Sequence, residues 1–213
     1  IMAYCKIVGT GSFLPKKQVT NADLERLVDT TDEWIVKRVG IKRRHQVSGD
    51  ENTSYMAHQA TKNAMELAQI SPNDLDLIIV ATVTSEYCFP SVAVMLQDML
   101  GVTNECMAFD VSAACAGFIY ALNIAEKYMR LDSINNALIV GVEALSRITD
   151  WSDRSTCVLF GDGAGAVVLQ SSDSPGIIAT KLHADGQYSK LLNARNHLYS
   201  DADNPCKREI RLN

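Results

Sequence analysis

Two apolar runs of strand-forming residues constrain the fold of this chain most strongly. DLDLIIVATVT begins at Asp74 and NNALIVGVEAL begins at Asn135, and both runs are almost continuously apolar. A strand with one exposed face alternates apolar and polar residues, whereas a parallel strand that helices cover on both faces is apolar throughout. The two runs therefore predict buried parallel strands in an α/β fold.

Helical segments alternate with these strands. TSYMAHQATKNAMELAQI, which starts at Thr53, keeps apolar residues, including Leu67, near one stripe and should stop at Ser71-Pro72. Pro90 is expected in the first turn of a helix through SVAVMLQDML, which Gly101 ends, and ECMAFDV should form the next strand. The resulting order is βαβαβ.

The first 40 residues predict one strand and two short helices. YCKIVGTGSFLP starts with a β-prone run and breaks at Pro15. Asn21 and Thr31 are suitable N-cap residues, so we expect helices over 22–28 and 32–38.

A glycine-rich run, GDGAG at 161–165, lies between CVLF and AGAVVLQ, and GIIATKLHADG follows closely. The spacing favours antiparallel strands at a sheet edge, with GDGAG as a tight turn. A phosphate cradle is the alternative, but the run lacks the G-x-G-x-x-G spacing and does not lead from a strand into a helix.

The charge of the chain argues against one class of partner. The formal net charge is −5, whereas a protein that holds nucleic acid by a bulk positive field needs a cationic surface. The best local anion site is KRVGIKRRH at 37–45, with five cations in nine positions. A solvated, salt-bridged face is the other interpretation of that cluster.

No apolar run is long enough for a membrane helix, and the start lacks the apolar segment of a secretory signal, so we expect a cytoplasmic protein. The six cysteines are then expected to be free thiols. The sequence has no CxxC and no paired Cys/His spacing, which predicts no metal site.

One cysteine has neighbours that would suit a catalytic nucleophile. Cys115 lies in AFDVSAACAGF, between a strand that ends near Asp110 and a helix through FIYALNIAEKYMR. The first turns of that helix are apolar all round, so we expect it at the centre of a domain, with polar residues such as Glu126 nearer solvent. Unpaired N–H groups at a helix start favour a thiolate, and small neighbours allow a substrate carbonyl to approach. An inert core thiol in a closely packed helix remains the alternative on spacing alone.

Four motifs in order resemble those of a known family. VDTTDEWIVKRVGIKRRH, FDVSAACAGFIYAL, DRSTCVLFGDGAGAVVL and LHADG closely resemble β-ketoacyl-acyl carrier protein synthase III, the condensing enzyme that starts bacterial fatty-acid synthesis. The resemblance runs from residue 3 to the end. It implies a thiolase-like layered fold, αβαβα in the complete enzyme, with 1–170 as the N-terminal half and 171–213 as the start of the C-terminal half.

The resemblance also assigns roles to residues. Cys115 matches the acyl-accepting nucleophile, while Trp34, Arg38 and Arg154 match the residues that hold the adenine and phosphates of coenzyme A. An indole and a guanidinium can stack on a purine, and guanidinium pairs with phosphate; without the resemblance, Trp34 would be interpreted as a core residue. Phe89 resembles the residue that reaches across the dimer and closes the acyl pocket, which would favour acetyl primers.

The implied reaction transfers acetyl from acetyl-coenzyme A to Cys115 and condenses it with malonyl-acyl carrier protein, in a homodimer without a metal or redox cofactor. The family's catalytic histidine and asparagine come from the second half, and none of the four histidines here matches that base. We therefore expect that the rest of the family's length has been cleaved off, is disordered or is recorded separately from this sequence. Two alternatives are a related condensing enzyme of a polyketide or quinolone pathway, and a truncated chain that binds acyl-coenzyme A without condensing.

Overall fold

The computed structural model describes residues 4–131, 134–194 and 210–212, so the predicted free thiol at Cys206 lies outside the described residues. The strands are β1 (Tyr4–Phe13), β2 (Lys17–Thr20), β3 (Arg43–Gln46), β4 (Leu77–Ala81), β5 (Met107–Val111), β6 (Asn136–Ala144), β7 (Asp162–Ser172), β8 (Leu192–Ala194) and β9 (Ile210–Leu212). The α-helices are α1 (Asn21–Leu24), α2 (Asp32–Val39), α3 (Thr53–Ala68), α4 (Val92–Leu100), α5 (Gly117–Leu131) and α6 (Arg154–Cys157). Short 3₁₀ turns lie at Pro72–Asp74, Ala114–Ala116, Leu145–Arg147 and Gly186–Tyr188.

The chain forms two compact units. The first consists of Ile1–Leu14, Gly49–Glu143 and Gly163–Leu182. The second consists of Pro15–Ser48, Ala144–Asp162 and His183–Asn213.

The first unit contains a five-stranded sheet in the order β1-β7-β6-β4-β5. β4 pairs in parallel with β5 and with β6, and all five residues of β4 are buried. β1 pairs antiparallel with β7. The two apolar runs are therefore neighbouring parallel strands, which confirms the prediction made from their continuous hydrophobicity.

The core of the first unit lies between this sheet and α5. Its buried residues include alternate positions of β4 and one face of α5: Leu77, Ile79, Ala81, Ala121, Ala125 and Met129. On β1, the glycines face α3 so closely that a Cβ on Gly11 would lie 2.1 Å from the Ala60 carbonyl oxygen. Small residues thus let α3 lie directly on the strand.

The second unit is smaller and is built from short elements. β2 and β3 pair antiparallel, as do β8 and β9. A small core lies beneath α1, α2 and α6, and its buried members are Val19, Leu24, Ile35, Cys157 and Val158. Side-chain caps start all three helices, since Thr20, Thr31 and Asp153 each accept a hydrogen bond from a first-turn N–H.

Helix positions agree with the sequence better than helix lengths do. The helix expected over 32–38 is α2, capped by Thr31 and ended by Gly40 in the left-handed conformation. The helix expected over 22–28 is only α1: it ends at Leu24, and it starts one residue earlier than predicted because Thr20 and Asp23 form a capping box. α3 is also confirmed, but it ends at Ala68, with Gln69 as its C-cap, and not at the following Ser-Pro pair.

The prediction of a tight turn at GDGAG is wrong. Asp162–Gly165 is the extended start of β7, and Ala164 and Gly165 pair with Phe13 and Ser12 of β1. The preceding CVLF is not a strand either, because Asp153 caps a helix that includes Cys157. The GIIATKLHADG segment likewise contains no strand.

Burial of two helices also differs from expectation. Leu67 of α3 is 61% exposed, and Ile119 of α5 is 45% exposed, because the sheet covers only one face of each helix. Glu126 was expected nearer solvent but is buried, where it pairs with Lys127 and Arg130.

Pro90 precedes the N-cap Ser91 of α4 and is not in its first turn, where the sequence had predicted it. In the described ranges, no helix combines the length and hydrophobicity needed to cross a membrane.

Candidate active site

Cys115 lies in the turn that joins β5 to α5. β5 ends at Val111, the 3₁₀ turn Ala114–Ala116 follows, and α5 starts at Gly117. The Cys115 side chain is exposed. The predicted position near the start of a helix is therefore correct, and the thiol is exposed.

The backbone next to this cysteine is strained. Ala114 has a φ of 45°, in the left-handed region that residues with a Cβ rarely adopt. Such a conformation costs on the order of 1–3 kcal/mol and persists where the surrounding structure imposes it. Here Ala116 N–H donates to the Ala113 carbonyl at 3.1 Å, and Gly117 N–H donates to the Ala114 carbonyl, which closes the turn around Cys115.

The same edge of the sheet carries a carboxylate network. Ala81 is in register with Val111 on one side and Gly141 on the other, so the carboxyl ends of β4, β5 and β6 lie together. Glu143, near the end of β6, accepts hydrogen bonds from the Val83 N–H at 2.9 Å and the Thr84 hydroxyl at 2.5 Å. The segment that follows β4 is thereby tied to β6.

Asp110 is a second carboxylate at this edge. Its two oxygens accept hydrogen bonds from the N–H groups of Val92 and Ala93 at the start of α4, both at 2.8 Å. Burial raises the pKa of Asp110, while these hydrogen bonds act in the opposite direction. Asp110 therefore joins the strand before Cys115 to the N-terminus of α4.

The three residues assigned to coenzyme A come together in the second unit. Trp34 is half-buried on α2, Arg38 follows one helical turn later, and Arg154 is the first residue of α6. The guanidinium carbons of Arg38 and Arg154 lie 5.2 and 4.8 Å from the Trp34 ring centroid. Arg154 also donates to the Asp29 carbonyl at 2.8 Å. An indole face with two cations is chemically suited to a purine and phosphates.

The cationic stretch at 37–45 divides into two kinds of residue. Arg44 is only 5% exposed, so it is structural and not part of an anion site. It donates to the Asn21 side-chain oxygen at 2.9 Å and the Val158 carbonyl at 3.1 Å, and burial lowers its pKa. Lys37, Arg38, Lys42 and Arg43 are exposed.

GDGAG supplies a buried carboxylate and not a phosphate cradle. Asp162 accepts hydrogen bonds from the N–H groups of Val47 and Ser146, both at 2.7 Å, and from the Ser146 hydroxyl. Its oxygens thus join the residue after β3 to the 3₁₀ turn Leu145–Arg147, within the second unit. This hydrogen bonding is structural.

Phe89 lies in the first unit, in the segment between β4 and α4, and its side chain is 85% exposed. Cys115 belongs to the same unit, while Trp34, Arg38 and Arg154 belong to the second. A hollow of about 560 Å³ in the second unit is lined by other residues, among them Lys17, Arg26 and Trp151, and by none of the predicted site residues. Among the described residues, no three His, Cys, Asp or Glu side chains are grouped as metal ligands.

The sequence did not predict the roles of Glu143, Asp110 and Asp162, nor that of Glu86, which accepts a hydrogen bond from the Ser54 N–H at 2.6 Å. The available signal was weak: Asp110, Glu143 and Glu86 lie near or after the ends of apolar strand runs, where side chains gather at one edge of a parallel sheet, whereas Asp162 is the first residue of β7. Their partners are distant in sequence, so spacing could not identify them.

Comparison with known proteins gives one consistent family. Residues 109–186 match the family profile described as 3-oxoacyl-[acyl-carrier-protein (ACP)] synthase III. The chain is 57% identical to β-ketoacyl-[acyl-carrier-protein] synthase III of Neisseria meningitidis over 90% of its length, and 50% identical to that of Coxiella burnetii over 93%.

Solved structures agree with these relatives. The chain is 48% identical to 3-oxoacyl-[acyl-carrier-protein] synthase III from Aquifex aeolicus VF5, with a TM-score of 0.87 over 98% of this chain. It is 33% identical to the priming β-ketosynthase of the R1128 polyketide biosynthetic pathway, with a TM-score of 0.93 over 98% of this chain.

The architecture is that of the thiolase-like α/β enzymes, with a cysteine at the turn between a central strand and its helix. Within that class, the chain belongs to the β-ketoacyl-acyl carrier protein synthase III family. It spans 60% of the Neisseria relative, 62% of the Coxiella relative and 64% of the Aquifex chain.

Proposed function

We propose that the protein initiates fatty-acid synthesis as a β-ketoacyl-acyl carrier protein synthase III. The observation that carries the proposal is the exposed Cys115 in the turn before α5, inside the segment that matches the family profile. Relatives named for this activity are 50–57% identical to the chain, which supports the same chemistry here.

In the first half of the reaction, the Cys115 thiolate attacks the thioester carbonyl of acetyl-coenzyme A. The carbon–sulfur bond to coenzyme A then breaks, and coenzyme A leaves as a thiol after taking up a proton. A cysteine attached to a helix start is a suitable nucleophile, because oriented N–H groups favour negative charge there. The product is an acetyl-enzyme.

In the second half, malonyl-acyl carrier protein loses carbon dioxide, and the resulting carbanion attacks the acetyl carbonyl. Cys115 leaves as a thiolate, and acetoacetyl-acyl carrier protein is formed. In the family, a histidine and an asparagine of the second half stabilise the carbanion, and the resemblance assigns neither role within residues 1–213. The bonds made and broken need no metal or redox cofactor.

Trp34, Arg38 and Arg154 are proposed to bind the coenzyme A part of the donor. Arg154 lies over the Trp34 ring at 4.8 Å, so the guanidinium and the indole would have to move apart for adenine to insert between them. The exposed Lys42 and Arg43 are placed on the same stretch as Arg38 and could pair with the phosphates or an acidic carrier protein. The proposed compartment is the cytosol, which fits the five described cysteines being free thiols.

We also propose a homodimer. β5 pairs with β4 on one side, and within the described residues its other edge has no strand partner. An open strand edge is a template for pairing with a second copy. Phe89, whose side chain is almost fully exposed, would then be covered by the partner.

The direct test of the nucleophile is acylation. The full chain should gain the mass of one acetyl group when mixed with acetyl-coenzyme A, and Cys115→Ser should abolish this gain. Cys88→Ser is the matched control, because Cys88 is the other described cysteine with an exposed side chain. Acetylation that persists in Cys115→Ser and disappears in Cys88→Ser would overturn the assignment.

A priming ketosynthase of a polyketide pathway is a second candidate, since the R1128 enzyme matches with a TM-score of 0.93. The acyl acceptor separates the two functions. Condensation with fatty-acid carrier protein supports the first proposal, and condensation only with a polyketide carrier protein supports the second. An acyl adduct on Cys115 without any condensation would favour a chain that binds acyl-coenzyme A only.

A further inference from the structure

The segment that carries Phe89 is unusually exposed at its centre. We call residues 82–91, between β4 and α4, the β4–α4 segment. The side chains of Tyr87 and Phe89 are 61% and 85% exposed, and Cys88 is also exposed. Few apolar contacts therefore hold the middle of the segment, and its position must depend on hydrogen bonds.

The first part of the segment is tied to β6. Glu143 accepts the Val83 N–H and the Thr84 hydroxyl, as described above. The last part is tied to β5, because Asp110 accepts the N–H groups of Val92 and Ala93 directly after the segment. Both ends are thus fixed, and neither contact reaches residues 85–90.

Glu86 supplies the contact nearest to the centre. Its Oε1 accepts a hydrogen bond at 2.6 Å from the N–H of Ser54, in the first turn of α3. Beside it, the Thr53 hydroxyl donates to the Thr84 carbonyl, also at 2.6 Å. Glu86 lies three residues before Phe89, so this contact joins the Phe89 region to a helix that packs on β1.

Charge makes this contact stronger than an ordinary hydrogen bond. α3 is 16 residues long and has no acidic residue in its own first turn. The carboxylate of Glu86 takes that place, where negative charge complements the helix dipole. Hydrogen bonds to charged groups contribute more to stability than hydrogen bonds between neutral groups.

The position of Glu86 is also unfavourable in two respects, so a gain in folding stability does not by itself explain why a glutamate lies there. The second oxygen of Glu86 is buried and has no hydrogen-bond partner among the described residues. Burying an unpaired carboxylate oxygen is unfavourable. The negative charge of Glu86 also disfavours the charged form of Asp110 at the other end of the segment. An acidic side chain that lowers stability in these two ways is typical of a residue whose role is to hold a neighbouring segment in position.

We propose that Glu86 is a positioning residue: by joining the β4–α4 segment to the first turn of α3, it fixes Phe89 and so limits the size of the acyl donor. The selectivity part of the proposal rests on the proposed function and on the family resemblance, which implies that Phe89 reaches across the dimer and closes the acyl pocket. The anchoring part rests only on the contacts of Glu86 with Ser54 and its neighbours.

Two variants of Glu86 distinguish a role in positioning the β4–α4 segment from a general effect on folding stability. Glu86→Ala removes the acceptor, whereas Glu86→Gln keeps an oxygen for the Ser54 N–H. Glu66→Ala is the matched control, because Glu66 is an exposed glutamate near the other end of α3. Amide hydrogen exchange of the peptide that spans 82–91 measures anchoring, and the ratio of kcat/KM for acetyl- and isobutyryl-coenzyme A measures selectivity.

Glu86→Ala should speed exchange of this peptide about tenfold, while β4 and α3 peptides stay protected. The preference for acetyl should fall about tenfold, because the larger donor gains access; pockets discriminate one or two carbons by about 10- to 200-fold. Glu86→Gln should retain most of both properties, and Glu66→Ala should change neither.

Unchanged exchange in Glu86→Ala would overturn the anchoring, and with it the proposal. Faster exchange with an unchanged donor ratio would overturn the selectivity role. If the wild-type chain accepts neither donor, the proposed function fails and the selectivity role fails with it, but the exchange measurement still decides whether Glu86 anchors the segment.

Discussion

At the scale of single residues, Arg154 makes two contacts that bear on its proposed role in binding coenzyme A. Its guanidinium lies over the Trp34 ring, and its Nη1 donates to the Asp29 carbonyl, which orients the planar group. Arginine and lysine are not equivalent here, because only guanidinium can stack on a purine. The geometry is therefore suited to adenine rather than to phosphate alone.

We predict that Arg154→Ala weakens binding of coenzyme A about 5- to 30-fold, which corresponds to about 1–2 kcal/mol. Binding of phosphopantetheine, which lacks the adenine, should change much less. Isothermal titration calorimetry of both ligands makes the comparison. Arg26→Ala is the control, since Arg26 is an exposed arginine of the same unit. Equal losses for both ligands would contradict an adenine contact.

The buried thiol of Cys106 predicts a loss of stability at alkaline pH. Burial, helped by the negative charge of Asp76, raises its pKa from 9.0 to about 11. The unfolded chain therefore loses this proton near pH 9, while the folded chain keeps it to about pH 11. Between these values the unfolded state binds fewer protons, so the free energy of unfolding falls as pH rises.

Cys106→Ala should therefore flatten the fall in unfolding free energy between pH 8 and pH 10. We expect the wild type to lose about 1 kcal/mol more than the variant over this interval. Urea unfolding at both pH values gives the numbers, and Cys88→Ala, at an exposed thiol, should behave like the wild type. Parallel losses in wild type and Cys106→Ala would show that another group controls this range.

At the scale of secondary-structure elements, the contact between β1 and α3 depends on glycine. A Cβ on Gly11 would lie 2.1 Å from the Ala60 carbonyl oxygen and 2.5 Å from the Ala64 nitrogen. These are backbone atoms in a helix, so they cannot move aside as a side chain can. Across the ladder, Gly165 pairs with Ser12, next to Gly11, and has no atom within 4 Å of its Cβ position.

Gly11→Ala should lower the free energy of unfolding by about 3 kcal/mol or more, because α3 must separate from the strand. Gly165→Ala should leave it unchanged or raise it by about 0.5 kcal/mol, since alanine restricts the unfolded chain. Urea unfolding of the two variants tests the difference. If both substitutions cost the same, close packing of α3 is not the reason for glycine at position 11.

The same elements indicate what the sequence can and cannot predict. The apolar runs predicted β4 and β6 because burial on both faces of a parallel strand leaves a local signature. GDGAG was predicted as a turn because glycine is common in turns, yet its backbone pairs with β1 about 150 residues away. Local composition contains no information about that partner.

In the candidate site, too, features with a local signature in the sequence were predicted and contacts between distant residues were not. Cys115 was predicted because the strand, the small residues and the helix lie next to it in sequence. Glu86 was not predicted, since its partner Ser54 is 32 residues away, and Glu143 is 59 residues from Thr84. A carboxylate after a strand indicates a possible network, but only the fold identifies its partners.

At the scale of the whole molecule, the open edge of β5 predicts association with a second copy. Met107 N–H donates to the Asp76 carbonyl, and Val111 accepts from Thr82, so residues 107, 109 and 111 bond toward β4. The N–H groups of Ala108 and Asp110 therefore point toward the open edge, because successive residues of a strand alternate in direction. Pairing of two such edges would bury these groups.

Ala108→Pro should weaken the dimer about tenfold or more without unfolding the protein, because it removes one outward N–H from each copy. Met107→Lys, at a residue that is 40% exposed, should act in the same direction by placing charge at the edge. Leu67→Lys is the control, since Leu67 is exposed on α3. Sedimentation velocity over a range of concentrations measures association, and circular dichroism checks the fold. A wild-type chain that remains monomeric at micromolar concentration, or an Ala108→Pro variant that associates as tightly as the control, would contradict pairing through β5.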